Sequence, residues 1–251
     1  MNLARSAVSV YRDVPGTVTV GSHPVVCRVV KGVFENRPSL PKYQETWDVD
    51  SVVDYLAGWA EACKFDLKHL TLRLVMLLAL LSGQRGQTLH TLKVEDVKMG
   101  DNKCTIVYSS VVKQSKPGKH IRPLDLMGFE NKKLCIVTHL KEYLQRTKSM
   151  RKGKELFISY IEPHNHISRG TLSRWIKMVL ELSGVDVTKF SAHSTRAAST
   201  SAAFSREVPL DTIMTAAGWS RQKTFTQFYC KAVGTKNFSR SVLDSFVNKT
   251  S

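Results

Sequence analysis

The chain has 251 residues, enough for one large domain or for one domain with a smaller additional unit. Its 42% hydrophobic content supports a sizeable core and excludes a chain that is disordered throughout. The longest apolar run, Leu74 to Leu81, has eight residues, whereas a membrane span needs roughly 20. The N-terminus lacks the apolar segment of a signal peptide, and we expect no membrane partner.

Net charge indicates the class of partner. The chain has 37 Lys and Arg against 21 Asp and Glu, a net charge of +16 and an isoelectric point near 9.8. Between Lys113 and Lys177 there are 15 basic and 5 acidic residues, so this band holds ten of the sixteen excess charges. Such a band attracts phosphates and releases counterions on binding, which favours nucleic acid over a merely solvated basic surface.

The cysteines and histidines give no metal motif. The five cysteines are widely spaced, odd in number and without a Cys-x-x-Cys pair. This pattern indicates neither a zinc site nor a disulfide framework and fits a reducing intracellular compartment. The nearest approach to a ligand set is "EPHNH" at residues 162–166, which a solvated turn explains better. We predict no metal and no other cofactor.

The N-terminal part of the chain differs from the rest in proline content and in the spacing of its apolar residues. Residues 1–46 hold four of the eight prolines, which predicts a short helical segment followed by a linker. From Trp47 onward the spacing of apolar residues becomes helical, with Asp48 or Asp50 as N-cap. The next segment, "LKHLTLRLVMLLALLSG", is predicted to form a buried helix that ends at Gly83.

The middle and C-terminal parts predict a small sheet among further helices. Beta-branched residues over 105–112, the turn "SKPG" and the return "KHIRPL" predict a β-hairpin. A short strand is predicted in "ELFIS", and a helix capped by Ser168 and ended by Gly184 follows it. The other predicted helices are "LCIVTHLKEYLQRT", "HSTRAASTSAAF", "VPLDTIMTAAG", "RQKTFTQFYCKA" and "RSVLDSFV". The predicted fold class is mainly α with a small antiparallel β-sheet, an α+β fold.

Four stretches contain polar residues that could act together on one ligand. They are "SGQRGQTLHTL", the lysine-rich hairpin, "HSTR" and "AAGWSRQKTFTQFYC". Their candidate residues are Arg85, Lys113, Lys116, Lys119, His193, Arg196, Trp219 and Tyr229. Each stretch alone also has a simpler interpretation, namely a surface arginine, a solvated turn, a capping histidine or core aromatic side chains.

Together these residue types suit phosphodiester chemistry without a metal. Arginine binds two phosphate oxygens bidentately, and positive charge stabilises a phosphorus centre that gains negative charge in the transition state. A lysine ammonium can protonate the leaving oxygen. A tyrosine hydroxyl can be the nucleophile once its proton has an acceptor.

The order and spacing of these stretches resemble the tyrosine recombinase (phage integrase) family over about residues 3–240. "SGQRGQTLHTL" is similar to the first arginine box, "HSTR" matches the H-x-x-R box, and "GWSRQKTFTQFY" is similar to the segment that ends in the tyrosine. The stretches "ARSAVSVYRDVPG", "HPVVCRVVKGVFENRP" and "HSTRAASTSAA" are most similar to recombinases of DIRS-like or Crypton-like mobile elements.

The resemblance implies the catalytic-domain fold of that family and a reaction on double-stranded DNA. The chain would be a site-specific recombinase or integrase that breaks and rejoins strands through a 3′-phosphotyrosyl intermediate, without ATP or metal. Arg85 and Arg196 would hold the scissile phosphate, His193 and Trp219 would hydrogen-bond it, and Tyr229 would attack it. The small residues after Arg196 would let the DNA backbone approach this helix.

The resemblance also assigns a lysine and a set of DNA contacts. Lys113 or Lys116 would protonate the 5′-oxygen that leaves, and spacing does not choose between them. The candidate DNA-binding residues from the basic band and the tyrosine segment are Lys119, Arg122, Arg169, Arg174 and Arg221.

Two positions depart from the family pattern. Thr88 stands three residues after Arg85, where many members have an acidic residue. Tyr229 follows Trp219 by ten residues, whereas nine is usual and would fall on Phe228. Tyr229 is the only tyrosine after Tyr160, so it keeps the assignment.

The resemblance divides the chain in two. Residues 1–45 are expected to be a remnant of a helical N-terminal DNA-binding domain plus a linker, and residues 46–251 the catalytic domain. The apolar stripe of "RSVLDSFV" would dock on a neighbouring protomer or on its own body. We expect a homo-oligomer on paired DNA sites and an intracellular, nuclear location. The alternatives are a catalytically inactive DNA-binding remnant and a type IB topoisomerase-like strand-passage enzyme.

Overall fold

The computed structural model describes residues 2–12, 18–37, 45–112, 115, 118 and 120–233. The chain divides into two compact units, residues 1–42 and residues 43–251. The lysines at 113, 116 and 119 and the segment "RSVLDSFV" lie outside the described residues. No helix among the described residues is long and apolar enough to cross a membrane.

The first unit contains two helices, α1 (Asn2–Arg12) and α2 (Pro24–Asn36), with a 3-10 turn at Val20–Ser22 between them. The sequence predicts one short helical segment and a linker, so α2 is a correction. Its proline occupies the first helical turn, where the missing N–H has no partner to lose, and His23 caps the helix by accepting from Val25 N. The proline therefore begins a helix instead of marking a linker.

The second unit is built mainly from helices. They are α3 (Val49–Gly58), α4 (Leu67–Ser82), α5 (Gly86–His90), α6 (Ile136–Thr147), α7 (Arg169–Leu182), α8 (Ser194–Ser205), α9 (Leu210–Ala217) and α10 (Gln222–Phe228). Two 3-10 turns, Ala62–Lys64 and Val94–Asp96, connect them. The predicted caps at Asp48 and Ser168 are confirmed, because each side chain accepts a hydrogen bond from a backbone N–H in the first turn of its helix.

Helix α4 forms the centre of the core and packs against α5, α6, α7 and α8. Its sequence is apolar on every face, which is the pattern of a helix surrounded by protein, and twelve of its sixteen residues are buried. It ends at Gly83, whose φ of 55° is left-handed, as the sequence predicts. A Cβ on Gly83 would lie 3.2 Å from Thr200 Cγ2, so this glycine also lets α8 approach closely.

The strands form two small sheets. The antiparallel sheet has the order β2–β3–β4, from Val97–Met99, Lys103–Ile106 and Leu124–Met127. A parallel pair joins β1 (Glu45–Thr46) to β5 (Ala232–Val233). The predicted small antiparallel sheet in a mainly helical fold is confirmed.

Three predicted strands need correction. Strand β3 ends earlier, and strand β4 begins later, than the sequence predicts. Beyond Ile106 the carbonyl of Tyr108 accepts a hydrogen bond from the His120 side chain and not from a neighbouring strand. The segment "ELFIS" makes only isolated bridges at Glu155 and Ile158. There the Arg151 guanidinium and the Tyr143 hydroxyl bond the backbone groups that a neighbouring strand would otherwise satisfy.

A cation with only neutral partners is buried within the core. Arg73 of α4 donates to the carbonyls of Leu56 at 2.6 Å and Ala60 at 2.9 Å, and its Nη1 lies 3.3 Å from His139 Nε2. His139 Nδ1 donates to Cys135 O at 2.8 Å, so Nε2 is the acceptor and the ring is neutral. Burial, and to a lesser extent the Arg73 charge, lowers the pKa of His139 to about 4.

Acidification should therefore destabilise the fold through His139. The pKa of this ring is about 4 in the folded state and near 6.5 when unfolded, so the unfolded state binds the proton first as pH falls. The neutral ring contributes on the order of 3 kcal/mol to the free energy of unfolding. This contribution is complete above pH ~6.5 and is lost as the pH falls towards ~4.

Denaturant unfolding of wild type and His139→Gln at several pH values tests this effect. Glutamine can donate and accept hydrogen bonds at similar positions but does not titrate. The difference in free energy of unfolding between wild type and His139→Gln should therefore narrow from pH 7 to pH 4. His69→Gln, at a half-exposed histidine beside Asp66, serves as control. A gap that does not change with pH contradicts the assignment.

Candidate active site

A buried guanidinium is the centre of the site. Arg196 on α8 is 2% exposed, and its Nη2 donates to the carbonyl of Ala217 at 2.8 Å. Its Nε and Nη1 are buried and have no hydrogen-bond partner within the described part of the chain. Buried donors are nearly always satisfied in folded proteins, so two such groups on one side chain indicate a place for an acceptor from outside.

Two aromatic rings cover this guanidinium. Its Cζ lies 4.4 Å from the ring centroid of Trp219 and 5.3 Å from that of Tyr229. The two rings are themselves 4.6 Å apart at an angle of 42°. Cation–π attraction offsets part of the cost of burying the charge, while the flat ring faces leave the N–H groups unbonded.

Two turns place these rings. Helix α9 ends at Ala217, and Gly218 with φ 68° reverses the chain so that Trp219 lies beside α8. Helix α10 ends at Phe228, and the N–H groups of Tyr229 and Cys230 both donate to Phe225 O at 2.8 Å. The tyrosine ring therefore projects from the end of a helix onto the buried cation.

His193 and Arg85 complete the group. His193 is the exposed N-cap residue of α8, and its ring lies edge-on to Tyr229 with centroids 6.4 Å apart. Arg85 follows Gly83 at the end of α4, and its Nη1 is buried without a partner among the residues described. The structure thus brings together Tyr229 and four of the residues predicted to act with it, Arg85, His193, Arg196 and Trp219. The other two predicted catalytic residues, Lys113 and Lys116, lie outside the described residues.

The electrostatics of the group favour an anion. Burial lowers the pKa of Arg196 to about 9, and repulsion from Arg85 adds to the effect, while the Tyr229 hydroxyl opposes it. An anion bound between the two guanidinium groups would supply both the missing acceptor and the missing countercharge. A phosphate matches this arrangement in charge and in the planar, bidentate geometry of arginine.

The predicted DNA contacts are distributed around this centre. Arg122 lines a cleft of about 210 Å³ together with His120, Met214 and Trp219, which places it next to the group. Arg169 and Arg174 are exposed near the start of α7, and Arg221 is exposed directly before α10. Lys113, Lys116 and Lys119 belong to the connection between β3 and β4, outside the described residues.

The small residues after Arg196 form a tightly packed part of the core. Ala197, Ala198, Thr200, Ser201 and Ala202 are buried within the protein. They let α8 pack closely against α4 and α9, and the contact between Gly83 and Thr200 is one example. Close approach does occur here, and in the free protein the approaching partner is the core of the same unit.

The sequence gives no hint of one buried polar contact that positions the group. Gln84 is 3% exposed, and its Nε2 donates to Ala216 O at 2.5 Å. This bond fixes the turn before Arg85 to the last turn of α9, next to the carbonyl that Arg196 bonds. The partner is 132 positions away, so only the fold could reveal it.

The histidines at residues 162–166 take part in local contacts. His164 Nδ1 lies 2.9 Å from Ser159 O, and the ring of His166 lies 4.9 Å from that of His90. Among the described residues, no group of three or more His, Cys, Asp or Glu side chains is placed to hold a metal ion.

A comparison with protein families identifies the larger unit. The phage integrase family matches residues 51–234, a range that includes all five residues of the group. The chain belongs to the phage integrase family. A comparison with curated proteins found no match.

Solved structures of recombinases and of lambda integrase share this fold at low sequence identity. XerA recombinase matches with a TM-score of 0.57 at 19% identity, over 100% of this chain and 75% of that one. XerH site-specific recombinase, bound to difH substrate in a pre-cleavage complex, matches with a TM-score of 0.57 at 16% identity, over 83% of this chain and 54% of that one.

A third structure is a lambda integrase dimer bound to a COC′ core site, with a TM-score of 0.51 and 19% identity, over 94% of this chain and 60% of that one. The chain thus spans only about half to three quarters of the lengths of these three proteins. The likeness confirms the predicted tyrosine recombinase catalytic-domain fold.

Removal of the Arg196 charge should stabilise the free protein. Arg196→Met keeps most of the side-chain volume but removes a buried cation without countercharge, and should raise the free energy of unfolding at pH 7 by on the order of 1–3 kcal/mol. The difference in free energy of unfolding between Arg196→Met and wild type should shrink as pH rises past about 9, because the wild-type Arg196 side chain then begins to lose its proton.

Denaturant unfolding at pH 7 and pH 10 measures this effect, with inorganic phosphate added at constant ionic strength as the probe of anion binding. Arg206→Met removes an exposed arginine paired with Asp50 and should change stability little. Phosphate should stabilise wild type but not Arg196→Met. A variant less stable than wild type at pH 7 would show that the charge supports the fold.

Proposed function

We propose that this chain is a site-specific DNA recombinase or integrase that breaks and rejoins strands through a tyrosine nucleophile. The observation that supports this most directly is the buried guanidinium of Arg196, with two unbonded donors, directly beside the ring of Tyr229. A phosphodiester held by those donors would have its phosphorus within reach of the tyrosine hydroxyl.

The chemical step is a transesterification at phosphorus. The Tyr229 oxygen forms a bond to the scissile phosphorus and the bond to the 5′-oxygen breaks, which leaves a 3′-phosphotyrosyl link and a free 5′-hydroxyl. Overall one proton passes from the tyrosine to the leaving oxygen, and Lys113 or Lys116 would deliver it. The adduct conserves the energy of the phosphodiester, so rejoining needs no ATP or metal.

The remaining polar groups would stabilise the transition state. Arg85 and Arg196 would bind the non-bridging phosphate oxygens as negative charge builds on them. Trp219 Nε1 is buried without a partner within the described residues, and so has a donor to offer the same phosphate. His193, exposed at the start of α8 and edge-on to Tyr229, would donate from the solvent side.

The DNA partner and the assembly are proposed on two grounds. Exposed Arg122, Arg169, Arg174 and Arg221 would contact the phosphate backbone, in keeping with the charge of +16. XerH is described with its difH substrate and lambda integrase as a dimer on its core site, and we propose that this chain likewise acts on double-stranded DNA as a homo-oligomer.

Three finer points of the proposal rest on the sequence resemblance. The chain would come from a DIRS-like or Crypton-like mobile element and would act in the nucleus. Residues 1–45 would be the remnant of a helical DNA-binding domain plus linker, and residues 46–251 the catalytic domain.

Tyr229→Phe should abolish the covalent protein–DNA adduct and leave DNA affinity within about twofold. The substitution removes the attacking oxygen and keeps the ring that covers Arg196. The substrate is a pool of end-labelled, nicked duplexes with a randomised centre, and adducts are separated on a denaturing gel. Tyr160→Phe, which alters a tyrosine stacked on Trp175, is the matched control and should form the adduct normally.

The outcomes separate the alternatives. An adduct that persists in Tyr229→Phe, or that maps to another residue, refutes the nucleophile assignment. Wild type that binds DNA but forms no adduct indicates an inactive DNA-binding remnant. Wild type that forms the adduct and relaxes supercoiled plasmid as a monomer, but never joins two sites, indicates a topoisomerase-like enzyme.

DNA binding should depend strongly on salt. Each neutralised phosphate contributes a slope of about 0.9 in log affinity against log salt concentration. Arg122→Ala and Arg174→Ala should each reduce the slope by about one, measured by fluorescence anisotropy on a random-sequence duplex. Arg206→Ala should leave it unchanged, since that arginine is paired with Asp50. An affinity that is constant between low and moderate salt refutes a backbone-driven interaction.

A further inference from the structure

The chain at Tyr229 has left the helix that precedes it. Helix α10 ends at Phe228, and the backbone of Tyr229 has φ −123° and ψ −25°. The N–H groups of Tyr229 and Cys230 still bond back to Phe225 O. The carbonyl of Tyr229 and the N–H of Lys231 have passed beyond the reach of α10, so another element must satisfy them.

One hydroxyl on α8 satisfies both groups. Ser201 Oγ donates to Tyr229 O at 2.7 Å and accepts from Lys231 N at 3.0 Å. The side chain of Ser201 is 3% exposed, so water competes poorly for either bond. The bend from Tyr229 to Lys231 is therefore closed on both sides by a single side-chain oxygen.

Other hydroxyls in the second half of α8 behave differently. Thr200 Oγ1 donates to Arg196 O at 2.7 Å, and Ser205 Oγ donates to Ala202 O at 2.9 Å, both within the helix. Such back-bonding is the usual behaviour of serine and threonine in a helix. Ser201 instead directs its hydroxyl to a segment 28 positions away.

Helix α8 thus holds the two reacting partners on one rigid element. Arg196 and Ser201 are five residues apart, which corresponds to about 7.5 Å along a helix axis. Arg196 would hold the phosphate, and Ser201 holds the backbone of the residue that would attack it. The helix fixes the distance between the nucleophile and its target, and small errors in such distances reduce rates greatly.

We propose that Ser201 is a positioning residue for the Tyr229 nucleophile, acting through the backbone on both sides of the tyrosine. The proposal rests on the proposed recombinase function. Ser201 is buried and its hydroxyl is engaged with the backbone of Tyr229 and Lys231, so its loss should slow the chemical step without changing DNA affinity.

The first arm of the test examines the contact itself and does not depend on any activity. In Ser201→Ala, the amide of Lys231 should exchange with deuterium at least ~10-fold faster than in wild type, because its acceptor is gone. Amides of the buried helix α4 serve as the internal reference for global unfolding and should be unaffected. Ser205→Ala removes a hydroxyl that bonds only its own helix and is the matched control. Unchanged exchange at Lys231 overturns the proposal.

The second arm measures the chemistry on a nicked duplex recovered from the randomised pool. At saturating DNA, the single-turnover rate constant for adduct formation should fall roughly 10- to 100-fold in Ser201→Ala. The amplitude and the dissociation constant should stay within twofold of wild type. A merely structural role would lower the amplitude, as less protein is folded, and leave the rate constant of the active fraction unchanged.

The outcomes distinguish this proposal from the one on which it rests. Equal rate constants in wild type, Ser205→Ala and Ser201→Ala overturn the positioning role and leave the recombinase proposal intact. Absence of any adduct in wild type overturns both the recombinase function and the positioning role. A slower rate constant in Ser201→Ala, together with faster exchange at Lys231, supports the positioning role.

Discussion

The geometry of the site depends on one charge that the protein buries without neutralising. Arg196 has an ordinary hydrogen bond at Nη2, aromatic rings over its face and no acceptor among the described residues for Nε or Nη1. Burying such a charge costs free energy, and the same loss of hydration lowers the pKa of Arg196 to about 9. The surrounding helices hold the side chain in place, so a phosphate would find the donors already oriented and partly dehydrated.

That arrangement requires tight packing around α8. A Cβ on Gly83 would lie 3.2 Å from Thr200 Cγ2 and 3.9 Å from Ala217 Cβ. A bulkier residue at position 83 would therefore keep the end of α4 away from α8 and α9. The carbonyls at the end of α9 accept from Gln84 and Arg196, which joins the two arginine-bearing segments to the turn before Trp219. Stability and site geometry therefore depend on the same small residues.

Much of the fold follows from local rules that the sequence displays. The uniform apolar pattern of α4, its stop at Gly83 and the cap at Ser168 all depend on neighbours within a few residues. The sequence-based predictions are wrong where side chains bond backbone groups that would otherwise pair with a neighbouring strand. His120 ends the β3–β4 pairing, and Arg151 bonds the backbone of the predicted strand at 155–159. Tyr229 and the four residues around it are predictable as a set because their types suit one chemistry, whereas Gln84 and Ser201 look like any polar residue until their partners are known.

The parallel pairing of β1 with β5 has a consequence for the order of folding. These two short strands come from opposite ends of the larger unit, and β5 begins three residues after Tyr229. Closing so long a loop costs chain entropy that only a largely formed core can offset. The pairing should therefore be among the last contacts to form as the chain folds. Under the proposed function, a chain in which this pair had not yet formed would have a basic surface able to hold DNA before Tyr229 was fixed in place. Under that proposal, strand scission would be delayed until the fold was complete.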